Sequence, residues 1–165
     1  MLDKQTVYKK QIQKHLYFGG ELSCSDLSDL TEKSIPLTAK IINELIDEGS
    51  VIESGFANST GGRRPQMYSL KSDVMYIVAV SMDQLVTRVA ILDMQNNFAF
   101  PIENFELTLA NNPKSLNQLL DLLKKYIQKS GIVKNKIVGI GIGMPGFVDI
   151  KKSINNTYLK PARGN

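Results

Sequence analysis

Residues 34–70 decide the fold, with the sequence SIPLTAKIINELIDEGSVIESGFANSTGGRRPQMYSL. The first part of this stretch has apolar residues at helical spacing, which predicts a helix. Ser34 precedes them as a candidate cap, and Pro36 stands in the first turn, where its missing N–H costs little. Gly49 ends the pattern. The apolar stripe comprises Leu37, Ile41, Ile42, Leu45 and Ile46.

The second part of the stretch predicts two short antiparallel strands, over 51–55 and 66–70. The segment between them is too polar and too rich in glycine to be anything but a loop. Its tip reads Gly61-Gly62-Arg63-Arg64, so the predicted hairpin ends in two positive charges.

Two further helices are predicted before this stretch. The first covers 4–18 and stops at two glycines, and the second is short and follows Ser23. Ser23 and Asp26 have the spacing of a helix cap with a carboxylate in the first turn. The side chains expected in the core from these two helices are Tyr8, Ile12, Leu16, Leu27 and Leu30. Three helices followed by a hairpin with a basic tip outline a winged helix-turn-helix.

In a winged helix-turn-helix the third helix enters the major groove, and the hairpin tip reaches a neighbouring groove or phosphates. Thr38 and Lys40 are then expected to supply the polar contacts of the helix, although Thr38 is equally readable as a structural residue and Lys40 as a solvated one. Arg63 and Arg64 also have an alternative interpretation, as two charges on a solvated turn. The expected DNA-binding residues are Pro36, Leu37, Thr38, Lys40, Gly61, Gly62, Arg63 and Arg64.

The charge of the chain does not locate a DNA-binding surface by itself. The formal net charge is +4, yet residues 1–70 hold 8 basic and 9 acidic residues, and the remainder holds 12 and 7. Glu44, Asp47 and Glu48 are expected to face away from DNA or to repel it. A single cysteine, Cys24, excludes an internal disulfide and a multi-cysteine metal site within these residues. No apolar run approaches the roughly 20 residues of a membrane helix, and no signal peptide is evident, so we expect a cytoplasmic protein without a membrane partner.

The second half of the chain has a different, strand-rich pattern. It predicts strands over 76–81, 87–93 and 97–107, a helix capped by Ser115, and a deeply buried strand over 136–144 whose glycines allow close approach of neighbouring backbone. This order is the opening of a ribonuclease-H-like lobe of the actin-like type. The predicted fold class is therefore α+β, with a winged helix-turn-helix domain over 1–70 and a partial α/β lobe over 74–165.

Three motifs carry a resemblance to a known family, namely Leu45–Gly49, Ser59–Pro65 and Gly139–Asp149. In this order they resemble the ROK family of repressors and sugar kinases, and more narrowly its transcriptional repressors. The resemblance implies a repressor that binds double-stranded DNA as a homodimer or higher oligomer and responds to a sugar or sugar derivative. It also implies a ligand cleft lined by Gly146 and Asp149, although both are first readable as parts of a structural turn.

The resemblance also has departures. ROK kinases carry Asp-x-Gly-Gly-Thr in their first hairpin, where this chain has Ser81-Met82-Asp83-Gln84-Leu85. A phosphate cradle needs free N–H groups and no obstructing Cβ, so this turn predicts a decayed ATP site and a protein that is not an enzyme. The family's catalytic aspartate and its zinc motif are absent, so we expect a truncated chain without a cofactor or a metal. A sugar kinase with an N-terminal appendage and a winged helix that binds proteins are the alternatives.

Overall fold

A computed structural model of the 165-residue chain describes residues 3–58, 64–83, 85–109, 112–152 and 154–155. The chain divides into two compact units. The first runs through Val74 and also takes in Asp93–Asn97, and the second comprises Met75–Leu92 and the chain from Phe98 onward. Helices and strands occur in both units, which confirms the α+β class.

The first unit contains three helices and a small sheet. The helices are α1 (Lys4–Gly19), α2 (Cys24–Thr31) and α3 (Ile35–Asp47), and the strands are β1 (Leu22–Ser23), β2 (Val51–Phe56) and β3 (Gln66–Leu70). The sheet is antiparallel, in the order β1-β3-β2. The three predicted helices and the predicted hairpin strands are thus confirmed as elements.

The start of α2 shows how local sequence fixes a helix boundary. The Ser23 hydroxyl accepts a hydrogen bond from the Asp26 N–H, and the Asp26 carboxylate accepts one from the Ser23 N–H. This capping box satisfies two backbone donors that a helix start otherwise leaves without partners. The Ser23 hydroxyl also donates to the Asp26 carboxylate at 2.6 Å, and this bond, followed by the one from the Ser23 N–H, holds the pKa of Asp26 below its ordinary value. The predicted cap is confirmed.

The core of the first unit joins all three helices to the hairpin. Its buried side chains are Tyr8, Ile12, Leu16, Leu27, Ile41, Ile42, Leu45, Val51 and Leu70. Leu30, predicted to be buried, is 51% exposed, because α2 turns only one narrow side to the core. Ser34 does occupy the N-cap position of α3, but its side chain makes no capping hydrogen bond.

A buried hydroxyl network lies between the helices of the first unit. The Thr38 hydroxyl donates to the Ser34 carbonyl of α3's own first turn, and the Thr31 hydroxyl donates to the Leu27 carbonyl. Each hydroxyl has one proton, so both threonines face Tyr8 as acceptors. The Tyr8 hydroxyl lies 2.5 Å from the Thr38 Oγ1 and 3.3 Å from the Thr31 Oγ1. Tyr8 therefore donates to the nearer of the two, Thr38, and links α1 to α3.

The second unit is a sheet with one helix against it. The strands are β4 (Tyr76–Met82), β5 (Val86–Leu92), β6 (Phe98–Glu106) and β7 (Ile137–Gly143), the helix is α4 (Ser115–Ser130), and a short pair follows, β8 (Val148–Asp149) with β9 (Ile154–Asn155). The order β6-β5-β4-β7 is antiparallel except for the parallel pair β4–β7. The helix begins at Ser115 with Lys114 at the N-cap and no side-chain cap, so the predicted Ser115 cap is wrong.

The core of the second unit lies between α4 and one face of the sheet. Leu119, Leu123 and Tyr126 of α4 are buried with alternate residues of β4 and β5. The Tyr126 hydroxyl donates to the Pro101 carbonyl of β6 at 2.9 Å, and its ring meets Phe100 edge-on at 5.4 Å.

The strand β7 corrects a prediction. It was expected to be deeply buried, yet Val138, Ile140 and Ile142 are 56%, 50% and 52% exposed. The reason is its place at the end of the sheet, where β4 is its one strand neighbour in the described part of the chain. The predicted close backbone approach is not found at Gly139 or Gly141, where no atom beyond the neighbouring residues lies within 4 Å of an added Cβ. At Gly143 the Val80 carbonyl oxygen lies 3.8 Å from that position, which is an ordinary contact and not a close approach.

Replacing Tyr8 with phenylalanine tests the hydroxyl network. Tyr8→Phe removes the donor to Thr38, which we expect to lower the free energy of opening α1 and α3 by about 1–2 kcal/mol. Residue-resolved amide hydrogen exchange measures this loss within the first unit. The matched control is Tyr17→Phe, which removes an exposed hydrogen bond to Asn96 and is expected to change the same free energy by under about 0.5 kcal/mol. Equal effects of the two substitutions would contradict the role assigned to Tyr8.

Candidate nucleic-acid interface

The helix α3 has a buried face and an exposed face. Thr38, Ile41, Ile42 and Leu45 are almost wholly buried. Seen down the helix axis, a second set lies on the opposite side at spacings of three and four residues. These exposed residues are Pro36, Lys40, Asn43 and Asp47, with Leu37 beside them. This exposed face is called the α3 row below.

Thr38 was predicted to contact a DNA base or phosphate, and the structure corrects this. Its side chain is 0% exposed, and its hydroxyl is engaged by Tyr8 and by the Ser34 carbonyl. A group with no accessible surface does not reach a groove. The alternative interpretation, a structural helix residue, is the correct one.

Asn43 belongs to the α3 row and was missed by the sequence analysis. It is exposed and follows Lys40 by three residues and Pro36 by seven. These separations put it on the same side of the helix, so extending the predicted contact set by helical spacing would have found it. Its amide has both a donor and an acceptor, the combination that pairs with two atoms of an adenine edge.

The carboxylates near the end of α3 are partly neutralised from α1. The Lys9 ammonium lies 2.9 Å from the Glu44 carboxylate and 2.6 Å from the Glu48 carboxylate. The Gln5 amide also donates to Glu44. Bonds to Glu48 and then Glu44 raise the pKa of Lys9, and the bond from Lys9 is the main reason the pKa of Glu44 is lowered. Both partners are therefore charged at neutral pH.

The remaining charges of the α3 row are more accessible. The Lys40 side chain is 69% exposed, and its nearest carboxylate, Glu44, lies 4.0 Å away. An exposed pair at this distance is weak, so Lys40 is available to another anion. Asp47 is exposed at the opposite end of the row from Pro36, about 16 Å along the helix axis at 1.5 Å per residue.

The hairpin β2–β3 holds its two arms together close to its tip. The Ala57 N–H donates to the Pro65 carbonyl at 3.1 Å, and the Gln66 amide donates to the Gly55 carbonyl at 2.9 Å. Gly55 has a φ of +102°, a left-handed conformation that glycine adopts without strain, and it lies at a register shift in β2. Arg64 is exposed next to Pro65. Gly61, Gly62 and Arg63, the rest of the predicted tip, lie outside the described residues.

The predicted ligand-cleft residues lie in a turn after β7. Gly146 is exposed with a φ of +139°. One carboxylate oxygen of Asp149 accepts hydrogen bonds from the Lys151 and Lys152 N–H groups at 3.0 and 3.1 Å. Asp149 thus caps the turn, as strand-end aspartates commonly do. A part for the two residues in binding a ligand stays a prediction.

The turn between β4 and β5 is the place where kinases of the resembled family hold phosphate. Here the Asp83 carboxylate accepts hydrogen bonds from the Leu85 and Val86 N–H groups, at 2.9 and 2.8 Å. Arg88 lies 3.5 Å from its other oxygen. These backbone bonds, Val86 first, lower the pKa of Asp83. Two donors of the turn are thus already satisfied by a negative charge of the chain itself.

Within the described ranges, no three side chains of histidine, cysteine, aspartate or glutamate are grouped so as to hold a metal ion. None of the helices described here has the length and apolar character that crossing a membrane requires.

Comparison with known proteins gives several related repressors. The chain is 29% identical over 141 residues to a xylose repressor of Caldicellulosiruptor bescii, covering 85% of this chain and 35% of that protein. It is 24% identical to the xylose repressor of Bacillus subtilis and 28% identical to that of Staphylococcus xylosus, covering 90% of this chain and 38% of each relative. The chain therefore spans little more than a third of the length of these relatives. No protein-family model matches it.

A solved structure shares the fold. It is described as a ROK family transcriptional regulator, a homologue of the E. coli MLC protein. The TM-score is 0.60 at 16% identity, over 92% of this chain and 38% of the other. Together with the xylose repressors, this match confirms the resemblance to ROK repressors that the sequence motifs indicated.

Replacing Lys9 tests the neutralisation of Glu44. We expect Lys9→Met to raise the pKa of Glu44 toward its ordinary value, because the largest cause of its lowering is removed. Carboxyl-carbon NMR titration measures this pKa directly. Lys10→Met is the matched control, because Lys10 is exposed and adjacent to Lys9 in α1, and its replacement removes the same amount of charge from that helix. A Glu44 pKa that moves equally in both variants would show that total charge, and not the Lys9 contact, sets it.

Proposed function

We propose that this chain, which resembles the ROK repressors, provides the DNA-binding domain and the first part of the effector domain of a sequence-specific transcriptional repressor. The DNA-binding domain covers 1–70, and the effector-domain part covers 74–165. The single observation that carries the proposal is the α3 row, an exposed side of a helix whose other side is fully buried. Such a helix presents side chains outward from a rigid support, as reading a groove requires.

In this proposal the first unit works as a winged helix-turn-helix. The helix α3 lies in the major groove, where Lys40 meets a phosphate or a base edge and Asn43 pairs with an adenine. The hairpin β2–β3 is the wing, and Arg64 with its glycine-rich neighbours reaches a minor groove or phosphates. The partial neutralisation of Glu44 and Glu48 by Lys9 supports this reading, because it weakens the repulsion that unpaired carboxylates would exert on DNA.

The regulatory part of the proposal follows from the relatives. Because proteins named xylose repressors align with most of this chain, we propose that the protein acts in the cytoplasm on carbohydrate-utilisation genes and responds to a sugar or sugar derivative. Gly146 and Asp149 are proposed to border the effector cleft. Binding as a homodimer or higher oligomer is also proposed, since two half-sites multiply the contact of a small module.

The proposed protein is a regulator and not a kinase. The turn that would hold phosphate contains the Asp83 carboxylate, which accepts hydrogen bonds from the Leu85 and Val86 N–H groups. A phosphate in this turn would meet a like charge and find those two donors occupied. We therefore propose that the chain does not use ATP as a cofactor.

DNA binding is tested with a duplex chosen by in vitro selection from a random-sequence library. We expect binding to weaken steeply with salt, and Arg64→Ala and Lys40→Ala each to reduce the slope of log K against log salt by about one, because each removes one phosphate contact. Fluorescence polarisation over a salt series measures the slope. Arg88→Ala is the matched control, an exposed arginine of the second unit, and is expected to leave the slope unchanged. A library that yields no bound duplex at low salt would refute the proposed function.

Nucleotide binding distinguishes the proposal from a sugar kinase that carries an N-terminal appendage. We expect calorimetric titration of the native protein with Mg·ATP to give no binding heat, because the Asp83 carboxylate occupies the donors of the turn. The titration is repeated with a candidate sugar present, because sugar kinases of the actin-like type close on a ligand between their two lobes. Saturable binding of ATP in either titration would favour the kinase.

A further inference from the structure

We infer that the start of α3 reads thymine methyl groups in the major groove, through the side chains of Ile35 and Leu37. The inference rests on the proposed function and adds a chemical class of DNA sequence to it. It is carried by the exposure of two large aliphatic side chains at the end of the helix that recognition helices direct to base edges.

These two side chains are not part of the core. Ile35 is 55% exposed and Leu37 is 41% exposed, whereas Ile41, Ile42 and Leu45 on the other side of the helix are at most 2% exposed. Pro36 between them is also exposed. Pro36 belongs to the α3 row, and Ile35 and Leu37 flank it on its two sides, each about 100° away around the helix axis. Three successive apolar side chains are thus exposed at the first turn of α3, where a solvated helix normally carries polar side chains.

The first turn offers almost no hydrogen-bonding group to a base. Ile35, Leu37 and Ala39 have aliphatic side chains, and Pro36 has neither a polar side chain nor an N–H. The one hydroxyl of this segment belongs to Thr38, which is buried with its hydrogen bonds made inside the protein. Side-chain readout by donors and acceptors therefore begins at Lys40, one turn further along.

Within the major groove, one base feature matches an aliphatic side chain. The C5 methyl group of thymine is apolar, while the other groove-edge features of the four bases are donors or acceptors. Burying a polar base edge against Ile35 or Leu37 would leave that edge without a partner, at a cost in free energy. Thymines are thus favoured and other bases are disfavoured opposite this turn. Asn43 on the same row then suits an adenine, which gives an A·T-rich preference to the half-site.

Deoxyuridine provides the test, because it differs from thymidine in the groove by the methyl group alone. The duplex selected from the random library is resynthesised with each thymidine replaced in turn by deoxyuridine, and affinities are measured by fluorescence polarisation. We expect a loss of about fourfold at each position whose methyl is buried, the value for one apolar carbon. Leu37→Ala and Ile35→Ala are expected each to remove the sensitivity at one position, as a double-mutant cycle requires.

The matched control is Leu116→Ala, which truncates a leucine of the second unit that is 64% exposed. It is expected to keep the full loss with deoxyuridine. Tight binding of every deoxyuridine duplex by the native chain would overturn the inference and leave the proposed function standing, whereas failure to bind any duplex would refute the proposed function itself. A third outcome would also overturn the inference. If both Ile35→Ala and Leu37→Ala keep the sensitivity to deoxyuridine, and both sediment with a lower mass than the native protein, then Ile35 and Leu37 lie in a contact between copies of the chain.

Discussion

The contact between the Tyr8 and Thr38 hydroxyls helps to determine which side of α3 is exposed. Thr38 is held inward by Tyr8 of α1, and at 3.6 residues per turn this rotates Pro36, Lys40 and Asn43 to the opposite side. The orientation of the exposed row is thus fixed from within the core and not by the exposed residues themselves. Residues that do not touch DNA in the proposed complex therefore determine which residues do. A change in the core of the first unit is expected to alter recognition as well as stability.

A second contact between α1 and α3 sets the electrostatics of the same helix. The sequence shows Glu44, Asp47 and Glu48 as an acidic end that would repel DNA, but Lys9 contacts two of the three carboxylates. A helix can thus have an acidic sequence and still present a partly neutralised surface, provided that the cation comes from another element. Composition counts charges along the chain, whereas the field at a surface depends on which charges lie side by side.

Features that depend on neighbouring residues in the sequence were predictable here. The Ser23 and Asp26 capping box, the buried positions Tyr8, Ile12 and Leu16, and the strand pattern all follow from spacing within one element. The errors at Leu30, at Thr38 and along β7 have a different origin. The burial of Thr38 depends on Tyr8, thirty residues away, and the exposure of β7 depends on which elements cover a sheet edge. Periodicity says which side of an element is apolar, but not whether another element lies against it.

The Asp83 turn shows how one carboxylate can supply hydrogen-bond partners to the backbone N–H groups of a hairpin. In a phosphate-binding turn the backbone N–H groups point outward and remain without partners until an anion arrives. In this chain the anion is a side chain of the turn itself, at hydrogen-bonding distance from Leu85 and Val86. Two backbone donors of the turn are therefore occupied by the chain's own carboxylate. In the proposed regulator these two bonds stay in place in a starved cell and in a well-fed one, whatever the cellular adenylate pool.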